Sequence, residues 1–350
     1  MQQTPLFEQR KRDHLVHALD PKNQAQGLAG LDRVRLSHDA LPDLDWDQIS
    51  LAEPCLGTPL STPFYVSGMT AGHDRAPTLN HLFAAACQSR GWALGVGSLR
   101  RDLEGGGSVD RWRELRALFP DLVILANLGI SQVLTASDED VARVLEPLGP
   151  QALCIHTNPL QEAIQPEGTP RFAGSVERLA RLCRFLGRNL GIPVVLKEAG
   201  CGFSGRTLSR LSECGLAALD VSGLGGTHWG RIEGARAGHD PVRARASETF
   251  AEWGVPTVDA VLNARKALAS VETWASGGVR TGLDAAKLVA LGARRVGFAQ
   301  PALQAALAEE SGSLEKWMET IEFEFRTALF CTGAASPAEL RGNGDLWTVI

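Results

Sequence analysis

The hydrophobic positions of this chain form short apolar runs along its middle, each separated from the next by a segment with helical spacing. The runs lie at Phe64–Val66, Ala93–Val96, Leu122–Ala126, Leu153–Ile155, Val194–Leu196, Ala217–Val221, Glu272–Ala275 and Arg295–Phe298. Continuous rather than alternating apolar runs are typical of parallel strands covered by helices. Eight such units predict a (β/α)8 TIM barrel of the α/β class rather than an open doubly wound sheet.

The segments on either side of these runs do not indicate a second domain. We predict one domain over residues 1–350, with an N-terminal extension at 1–60, the barrel at 61–303 and C-terminal closing helices at 304–350. The gap between the sixth and seventh runs is long and rich in Gly, His and Arg. It predicts a substrate-covering loop before the helix Val258–Leu268.

Composition and charge exclude several classes of protein. The net charge of −5 and the pI of about 5.9 give no basic field for nucleic acid or anionic lipid. No apolar run approaches the roughly 18 residues of a membrane span, and residues 1–14 lack the apolar stretch of a secretory signal. The 7 cysteines form no Cys-x-x-Cys pair, which favours reduced thiols. We therefore expect a cytoplasmic protein of enzyme size.

The richest candidate chemistry follows the fourth run, in His156-Thr157-Asn158-Pro159-Leu160-Gln161-Glu162. Side chains at the carboxyl end of a barrel strand point into the pocket that this fold uses for chemistry. A buried amide beside a buried carboxylate needs partners. One solution is a divalent cation on Glu162, with His156, Asn158 and Gln161 facing a polar ligand. An ordinary exposed polar loop is the alternative.

A second candidate site, for phosphate, follows the seventh run. Gly277-Gly278-Val279-Arg280 precedes the helix Leu283–Leu291, whose N-terminus would offer free backbone amides to an anion. Glycine lets a phosphate approach the backbone closely, and Arg280 adds charge. The loops after strands seven and eight are the usual phosphate position of this barrel. A tight turn that needs glycine for positive φ is the alternative.

The exits of the third, fifth and sixth runs suit the ring of a flavin. Lys197 could stabilise negative charge near N1 of a reduced ring, although it could instead pair with Glu198 or a neighbouring carboxylate. Asn127 and Thr227 could meet the polar edge of the ring, although both residue types are also common caps and turn formers. Together with the phosphate loop, these residues predict a barrel that binds FMN.

Taken together, these motifs resemble the type 2 isopentenyl diphosphate isomerases over about residues 10–303. The pieces that carry the resemblance are Arg10-Lys11-x-Asp13-His14, Met69-Thr70-x-Gly72, Gly97-Ser98-x-Arg100, His156-x-Asn158-Pro159-x-Gln161-Glu162, Gln165-Pro166-Glu167-Gly168, Lys197-Glu198, Gly225-Gly226-Thr227-x-Trp229 and Ile232-Glu233-x-x-Arg236. The loop Ala275–Arg280 belongs more broadly to FMN-dependent barrels. The Arg-Lys start and the Gln-Glu cluster are what point to the isomerases.

The resemblance implies an enzyme of isoprenoid biosynthesis that interconverts isopentenyl diphosphate and dimethylallyl diphosphate. It implies FMN, active when reduced, with Mg²⁺, with NADPH as reductant, and with a homo-oligomer of four or eight chains. By position, the substrate contacts are Arg10, Lys11, Ser98, Leu99, Arg100, Asn158 and Gln161, and the metal ligand is Glu162. The FMN contacts are Gly68, Met69, Thr70, Ser98, Asn127, Lys197, Thr227, Gly278, Val279, Arg280, Ala299 and Gln300.

An allylic shift needs a proton added at one carbon and removed from another. Because Glu162 is committed to metal, no Asp or Glu at the strand ends is obviously free to supply it. The N5 position of reduced FMN is then the expected donor, and Gln161 and His156 are the predicted catalytic residues. Gln161 is expected to position the substrate chain and is a candidate to relay the second proton. His156 is expected to donate a hydrogen bond to the diphosphate, with a satisfied pocket histidine as the alternative.

Four positions depart from the family pattern, namely Gly68, Ala71, Leu99 and Ala199, and they put the affinity for ligands in doubt more than the type of reaction.

Two rival functions remain as alternatives. An FMN-dependent 2-hydroxy-acid oxidase or dehydrogenase needs a histidine base before two glycines, whereas His228 here follows Gly225-Gly226-Thr227. A non-catalytic flavin-binding protein would not need Glu162 or Arg10-Lys11.

Overall fold

A computed structural model describes residues 13–70, 75–107, 109–238 and 240–350 of the chain. In chain order its strands are β1 (Val34–Leu36), β2 (Phe64–Val66), β3 (Ala93–Gly95), β4 (Ile124–Gly129), β5 (Ala152–Thr157), β6 (Val194–Glu198), β7 (Ala218–Asp220), β8 (Glu272–Ala275), β9 (Arg295–Phe298) and β10 (Trp347–Val349). Strands β2 to β9 run parallel in sequence order, and β9 pairs with β2, so the described residues form a closed eight-stranded barrel. The predicted (β/α)8 fold is confirmed.

The helices surround this barrel. After the helical residues 13–19 they are α1 (Ala76–Arg90), α2 (Arg100–Leu103), α3 (Val109–Leu118), α4 (Ile130–Thr135), α5 (Asp138–Leu145), α6 (Pro159–Ile164), α7 (Ser175–Asn189), α8 (Gly205–Leu211), α9 (Trp229–Arg236), α10 (Pro241–Thr249), α11 (Thr257–Ala267), α12 (Gly282–Leu291), α13 (Gln300–Leu307), α14 (Ser313–Cys331) and α15 (Pro337–Gly342). The two predicted helices, 258–268 and 283–291, correspond to α11 and α12 within one residue at each end.

Alternation along the strands divides the apolar side chains between two cores. Phe64 and Val66 of β2 face outward into the large core between sheet and helices, whereas Tyr65 faces inward. Inside the barrel, Tyr65 packs with Trp274 and Cys154 in a separate apolar cluster. Even the strands of three residues are therefore fixed in register, because a shift by one would exchange the two cores.

The long segment between β7 and β8 is more ordered than predicted. We expected a substrate-covering loop there, but the structure has the helices α9 and α10. Asp240 caps α10 by accepting hydrogen bonds from the backbone amides of Val242 and Arg243, each at 3.1 Å. Arg243 then donates to the Ile164 carbonyl at 2.8 Å, which ties α10 to the end of α6. Because this segment is rich in glycine and arginine, its sequence pattern did not indicate two capped helices.

The two flanking segments meet outside the barrel. Strand β1 in the N-terminal extension pairs antiparallel with β10 near the end of the chain, in the register Val34 to Val349. This two-stranded sheet was not predicted, because two runs of three residues some 300 positions apart give little periodic signal. Among the described helices, none is both long and apolar enough to cross a membrane.

Candidate functional site

A cavity of about 240 Å³ opens at the carboxyl ends of the barrel strands. Residues at the exits of all eight barrel strands line it, together with His14, Leu15, Ala18 and Gln24 from the N-terminal extension. The predicted site residues that line it are Gly68, Met69, Ser98, Arg100, Asn127, His156, Gln161, Glu162, Lys197, Thr227, Gly278, Val279, Arg280, Ala299 and Gln300. The prediction that the strand exits share one pocket therefore agrees with the structure at these positions.

Lys197 lies near the end of β6 and reaches this cavity. Its ammonium donates to the Asp220 carboxylate and, at 2.9 Å, to the Ser276 hydroxyl. The ion pair considered as an alternative for this lysine is therefore present, and its partner is Asp220 on the neighbouring strand β7. Because Lys197 also lines the cavity, the pairing does not remove it from contact with a ligand.

Glu198, the next residue on β6, points away from the cavity, as alternation requires. Its Oε2 atom accepts hydrogen bonds from the backbone amides of Cys201, at 2.5 Å, and of Gly202, at 3.1 Å. Burial raises the pKa of Glu198 to about 8, although these amides and Lys197 lower it. Glu198 therefore fixes the loop after β6 and does not line the cavity.

Two glycine loops, after β7 and β8, interlock at one end of the cavity. Gly277 and Gly278 have φ angles of 99° and 80°, in the region that side chains disfavour. A Cβ atom on Gly278 would lie 2.5 Å from the Gly225 carbonyl oxygen, and one on Gly226 would lie 2.7 Å from the Gly278 nitrogen. Glycine is thus needed both for the turn and for the close approach of the two loops.

The anion site predicted at the N-terminus of α12 needs correction. The amides of Arg280 and Thr281 donate to the Asp284 carboxylate at 3.0 and 3.1 Å, and that of Gly282 donates to Glu324 at 2.6 Å. These three amides are already bonded to carboxylates, so they are not available to bind a phosphate at this helix end.

The amides available near the cavity lie elsewhere at the same end. Gly277, Gly278 and Val279 line it, and so do the first residues of α13, Gln300 and Pro301. The N-cap of α13, Ala299, has no capping side chain. A phosphate placed between this helix start and the Gly277–Val279 loop would meet backbone donors and the positive end of a helix dipole.

Helix α6 presents the Gln-Glu pair. Asn158 is its N-cap: Oδ1 accepts from the Gln161 amide at 2.8 Å, and Nδ2 donates to the Ala199 carbonyl at 3.0 Å. With both ends of its amide engaged and 3% of its surface exposed, Asn158 does not line the cavity. The structure therefore places Asn158 as the residue that fixes Gln161, and not as the predicted substrate contact.

Gln161 joins a buried acid that was not among the predicted site residues. Its Nε2 atom donates to Glu233 of α9 at 2.9 Å, and Glu233 also pairs with His14 at 2.8 Å and with Arg236. Burial raises the pKa of Glu233, but the hydrogen bond and charge of His14 and the charge of Arg236 outweigh it and hold the pKa below its usual value. An ionised carboxylate thus lies directly behind Gln161.

His156 and Asn127, on neighbouring strands, form a pair at the cavity wall. The Asn127 Oδ1 atom lies 2.8 Å from His156 Nδ1. Gly129 makes room for this ring, because a Cβ atom there would lie 3.0 Å from His156 Nε2. Both residues line the cavity.

The comparisons with known proteins agree with this geometry. Residues 170–347 match the family model of FMN-dependent dehydrogenases. An isopentenyl-diphosphate delta-isomerase of Legionella pneumophila (strain Corby) is 49% identical over 328 residues, which are 94% of each chain. One of Bdellovibrio bacteriovorus is 42% identical over 341 residues, 96% of this chain and 97% of that relative. The chain belongs to the isopentenyl-diphosphate delta-isomerase family.

Solved structures of flavoenzymes share the fold of this family member. The flavin-binding domain of baker's yeast flavocytochrome b2 matches with a TM-score of 0.65 at 18% identity, over 96% of this chain and 81% of that one. A mandelate oxidase variant with 2-hydroxy-phenylacetamide gives 0.66 at 18% identity, over 97% and 96%. At this identity the likeness shows a common barrel and nothing about substrates.

The histidine on which the oxidase interpretation depended is not available in this isomerase-family chain. His228 is fully buried, does not line the cavity, and caps α9 by accepting from the Arg231 amide at 3.2 Å. Burial, followed by the charge of Arg231, lowers the pKa of His228 to about 4. It is therefore a neutral structural residue and not a base that faces a ligand.

Two further predicted contacts lie away from the cavity surface. Leu99 is fully buried in the outer core, whereas its neighbours Ser98 and Arg100 line the cavity. Thr70 is also buried, with its hydroxyl bonded to Asn80. The predicted contacts Arg10 and Lys11, and the position of Ala71, lie outside the described residues.

The departure at Gly68 has a local reason. A Cβ atom there would lie 2.3 Å from the Val96 carbonyl oxygen, so the exits of β2 and β3 pack too closely for a side chain. Ala199 lines the cavity, where its carbonyl also receives the Asn158 side chain. A side chain at position 68 is thus excluded by backbone contact, whereas the side chain at position 199 has the cavity beside it.

Sequence reasoning gave no role to three residues that the site uses, namely His14, Glu233 and Asp220. The first two were part of the quoted motifs, but they are 219 positions apart and their contact cannot be read from either motif alone. Asp220 offered a different signal. It is a single carboxylate inside the apolar run Ala217–Val221, and a buried carboxylate needs partners.

Proposed function

We propose that this chain interconverts isopentenyl diphosphate and dimethylallyl diphosphate, using reduced FMN and Mg²⁺. The observation that carries the proposal is the juxtaposition, in one cavity, of the Gln161–Glu233–His14 chain with Lys197 and the glycine loops. The names of the relatives support the reaction, and the family model for FMN-dependent dehydrogenases supports the flavin.

The residues present fit FMN. Its phosphate would be held by the Gly277–Val279 loop and the start of α13, where the interlocked glycines leave backbone amides next to the cavity. Its ring would lie against Lys197, Asn127 and Thr227, which line the same cavity. When bound and reduced, FMN would supply a proton donor, its N5 position, for the alkene of the substrate.

The chain's own contribution to the chemistry centres on Gln161. Because its amide nitrogen donates to Glu233, the amide oxygen remains as the acceptor that can face the substrate. Protonation of an alkene builds positive charge on carbon, and the negative Glu233 behind the amide stabilises that charge. Trp229, which lines the cavity and packs edge-on to His14 with 5.2 Å between ring centroids, adds an aromatic surface and excludes water.

The diphosphate would be held by other residues of the lining. Ser98, Arg100 and His156 line the cavity and offer hydrogen bonds and charge. Glu162 is the acidic residue of the described lining, and its Oε2 atom accepts from the Thr169 amide at 2.6 Å, which orients the carboxylate. Arg10 and Lys11 are proposed to add positive charge.

The cation would depend on the substrate for most of its ligands. Within the described residues, no group of three or more His, Cys, Asp or Glu side chains is arranged to hold a metal. Mg²⁺ is commonly bound through one or two carboxylates, waters and substrate phosphates, so a single Glu162 fits such a site. NADPH as reductant, a cytoplasmic location and an assembly of four or eight chains are further parts of the proposal that rest on the family resemblance.

The experiment that tests the function is an anaerobic assay with FMN, dithionite and Mg²⁺ that follows isopentenyl diphosphate to dimethylallyl diphosphate. We expect conversion to need reduced flavin and metal, and to collapse in Glu162→Gln and Gln161→Ala. Gln88→Ala, an exposed amide on α1, is the matched control and should behave as wild type. FMN binding without conversion, with the flavin reduced by a 2-hydroxy acid, would replace this proposal with the oxidase.

A further inference from the structure

We propose that Asp220 is a positioning residue for the flavin, which holds Lys197 in place and offsets its charge. Asp220 would thereby set how strongly Lys197 stabilises negative charge on the reduced ring. This inference rests on the proposed function, because it requires FMN to lie against Lys197. It concerns a carboxylate that does not itself line the cavity and that would act only through the lysine.

The carboxylate is held by four donors. Asp220 ends β7 directly opposite Lys197 in the strand register, and 1% of its surface is exposed. Its Oδ2 atom accepts from the Lys197 ammonium and from the Tyr65 hydroxyl. Its Oδ1 atom accepts from the Ser276 hydroxyl at 2.8 Å and from the Ser222 amide at 3.2 Å. A buried carboxylate satisfied in this way cannot turn without losing several hydrogen bonds at once.

Lys197 is consequently held in place at the cavity wall. Its ammonium is shared between Asp220 and the Ser276 hydroxyl, and Ser276 also binds Asp220, so the three groups form a closed triangle. The ion pair has no net charge, whereas a lysine alone would present a full positive charge to the ring. A neighbouring carboxylate therefore weakens the attraction between this lysine and a reduced, anionic flavin.

Tyr65 supports the carboxylate from inside the barrel. Burial, and then the charge and hydrogen bond of Asp220, raise the pKa of Tyr65 well above its usual value, so the phenol stays a neutral donor. Gly297 on β9 provides the space, because a Cβ atom there would lie 2.2 Å from the Tyr65 ring. Arg295 and the Cys154 thiol also interact electrostatically with this tyrosine.

The test compares two variants of the FMN-loaded protein with opposite expected signs. In Asp220→Asn the lysine is no longer offset, so the flavin midpoint potential should become more positive. The reduced flavin should also lose its N1 proton at a pH lower by roughly one unit, as its absorbance would report. In Tyr65→Phe the carboxylate loses one donor and offsets Lys197 more strongly, so the potential should become slightly more negative. Asp121→Asn, an exposed aspartate before β4, is the control.

A second readout does not depend on activity. The sequence contains a single tyrosine, Tyr65, so a chain labelled with ¹³C at the tyrosine Cζ gives a single resonance. In Asp220→Asn this resonance should move and should titrate at lower pH than in wild type. The same spectrum reports whether the variant is folded.

Bound FMN with wild-type potential and absorbance in both variants would overturn the inference and leave the proposed function standing. If Asp220→Asn does not fold, Tyr65→Phe decides alone: a shift to more negative potential supports the inference, and no shift overturns it. A wild-type chain that binds no FMN would overturn the proposed function itself, and this inference with it.

Discussion

The two ends of the barrel both bury charged side chains, but they use them differently. At the amino end, Arg295 is fully buried and donates to the backbone carbonyls of Glu53 and Thr62. Glu53, 2% exposed, is in turn paired with Arg341 at 3.0 Å. None of these four residues lines the cavity. Their charges satisfy one another and the backbone, and they close the bottom of the barrel.

At the carboxyl end, two buried carboxylates do not line the cavity themselves but bond to a residue that does. Glu233 lies behind Gln161, and Asp220 lies behind Lys197, while the outer member of each pair lines the cavity. Burial of charge is therefore common to both ends and does not by itself mark a site. What distinguishes the carboxyl end is that two of its buried carboxylates, Glu233 and Asp220, each hold a side chain that lines the cavity.

The comparison predicts that removal of a charge at the amino end affects stability and not turnover. Arg295→Met should lower the free energy of unfolding by about 3 kcal/mol, because it leaves the buried backbone carbonyls of Glu53 and Thr62 without their donor. The turnover number of the folded protein should stay within about twofold of wild type. Denaturant unfolding and steady-state kinetics on the same sample measure both. Arg206→Met, at an exposed position on α8, should change neither.

Removal of a charge at the carboxyl end should have the converse effect. Glu233→Gln keeps the shape of the side chain but removes the negative charge behind Gln161. Turnover should fall by about a hundredfold, equivalent to about 2.7 kcal/mol, because the positive charge that builds on carbon loses its stabilising partner. The Michaelis constant should change much less. A rise in the Michaelis constant with unchanged turnover would mean that Glu233 serves binding and that the two ends differ less than proposed.

The barrel could be predicted from the sequence because continuous apolar runs separated by segments of helical spacing occur in few other folds. The sequence was also sufficient to assign a residue to one end of the barrel, since the end of a run identifies the strand exit. It did not reveal which way a side chain turns at that exit. Leu99 lies between two cavity residues and still faces the core.

The parts of the site that escaped prediction depend on partners far apart in the chain. The contact between His14 and Glu233 joins the N-terminal extension to α9. The capping of α12 by Glu324 joins it to α14, and this contact removes the anion site expected at its N-terminus. Neither partner is visible in the local pattern, because hydrogen bonds between distant segments follow from the packed fold and not from periodicity.

Glu198 sharpens the comparison, because it is a buried carboxyl at the carboxyl end that supports a loop. The folded chain ionises this group only at about pH 8, whereas the unfolded chain does so at its usual lower pH. Its contribution to stability is therefore present in acid and is lost as the pH rises from about 5 through about 8.

Glu198→Gln should remove this loss, so that the variant is more stable relative to wild type at pH 8 than at pH 5, by on the order of 2 kcal/mol. Urea unfolding at a series of pH values measures the difference. The exposed Glu309→Gln is the control. Parallel stability profiles for wild type and Glu198→Gln would show that the carboxyl is already ionised at neutral pH and that burial does not dominate its titration.

The smallest expected effect is at Asn158, where a matched variant can distinguish a residue that supports Gln161 from one that only stabilises the fold. Asn158→Ala removes the N-cap of α6 and should cost about 1 kcal/mol of stability. It should also lower turnover several-fold, because the Gln161 backbone is no longer fixed. Ser137→Ala removes the N-cap of α5, which does not line the cavity, and should cost similar stability with unchanged turnover.

A second variant separates the two hydrogen bonds of Asn158. Asn158→Ser keeps an acceptor for the Gln161 amide but cannot reach Ala199 as the asparagine does. Recovery of turnover in the serine variant would assign the effect to the cap, and equal losses in serine and alanine would assign it to the Ala199 contact instead.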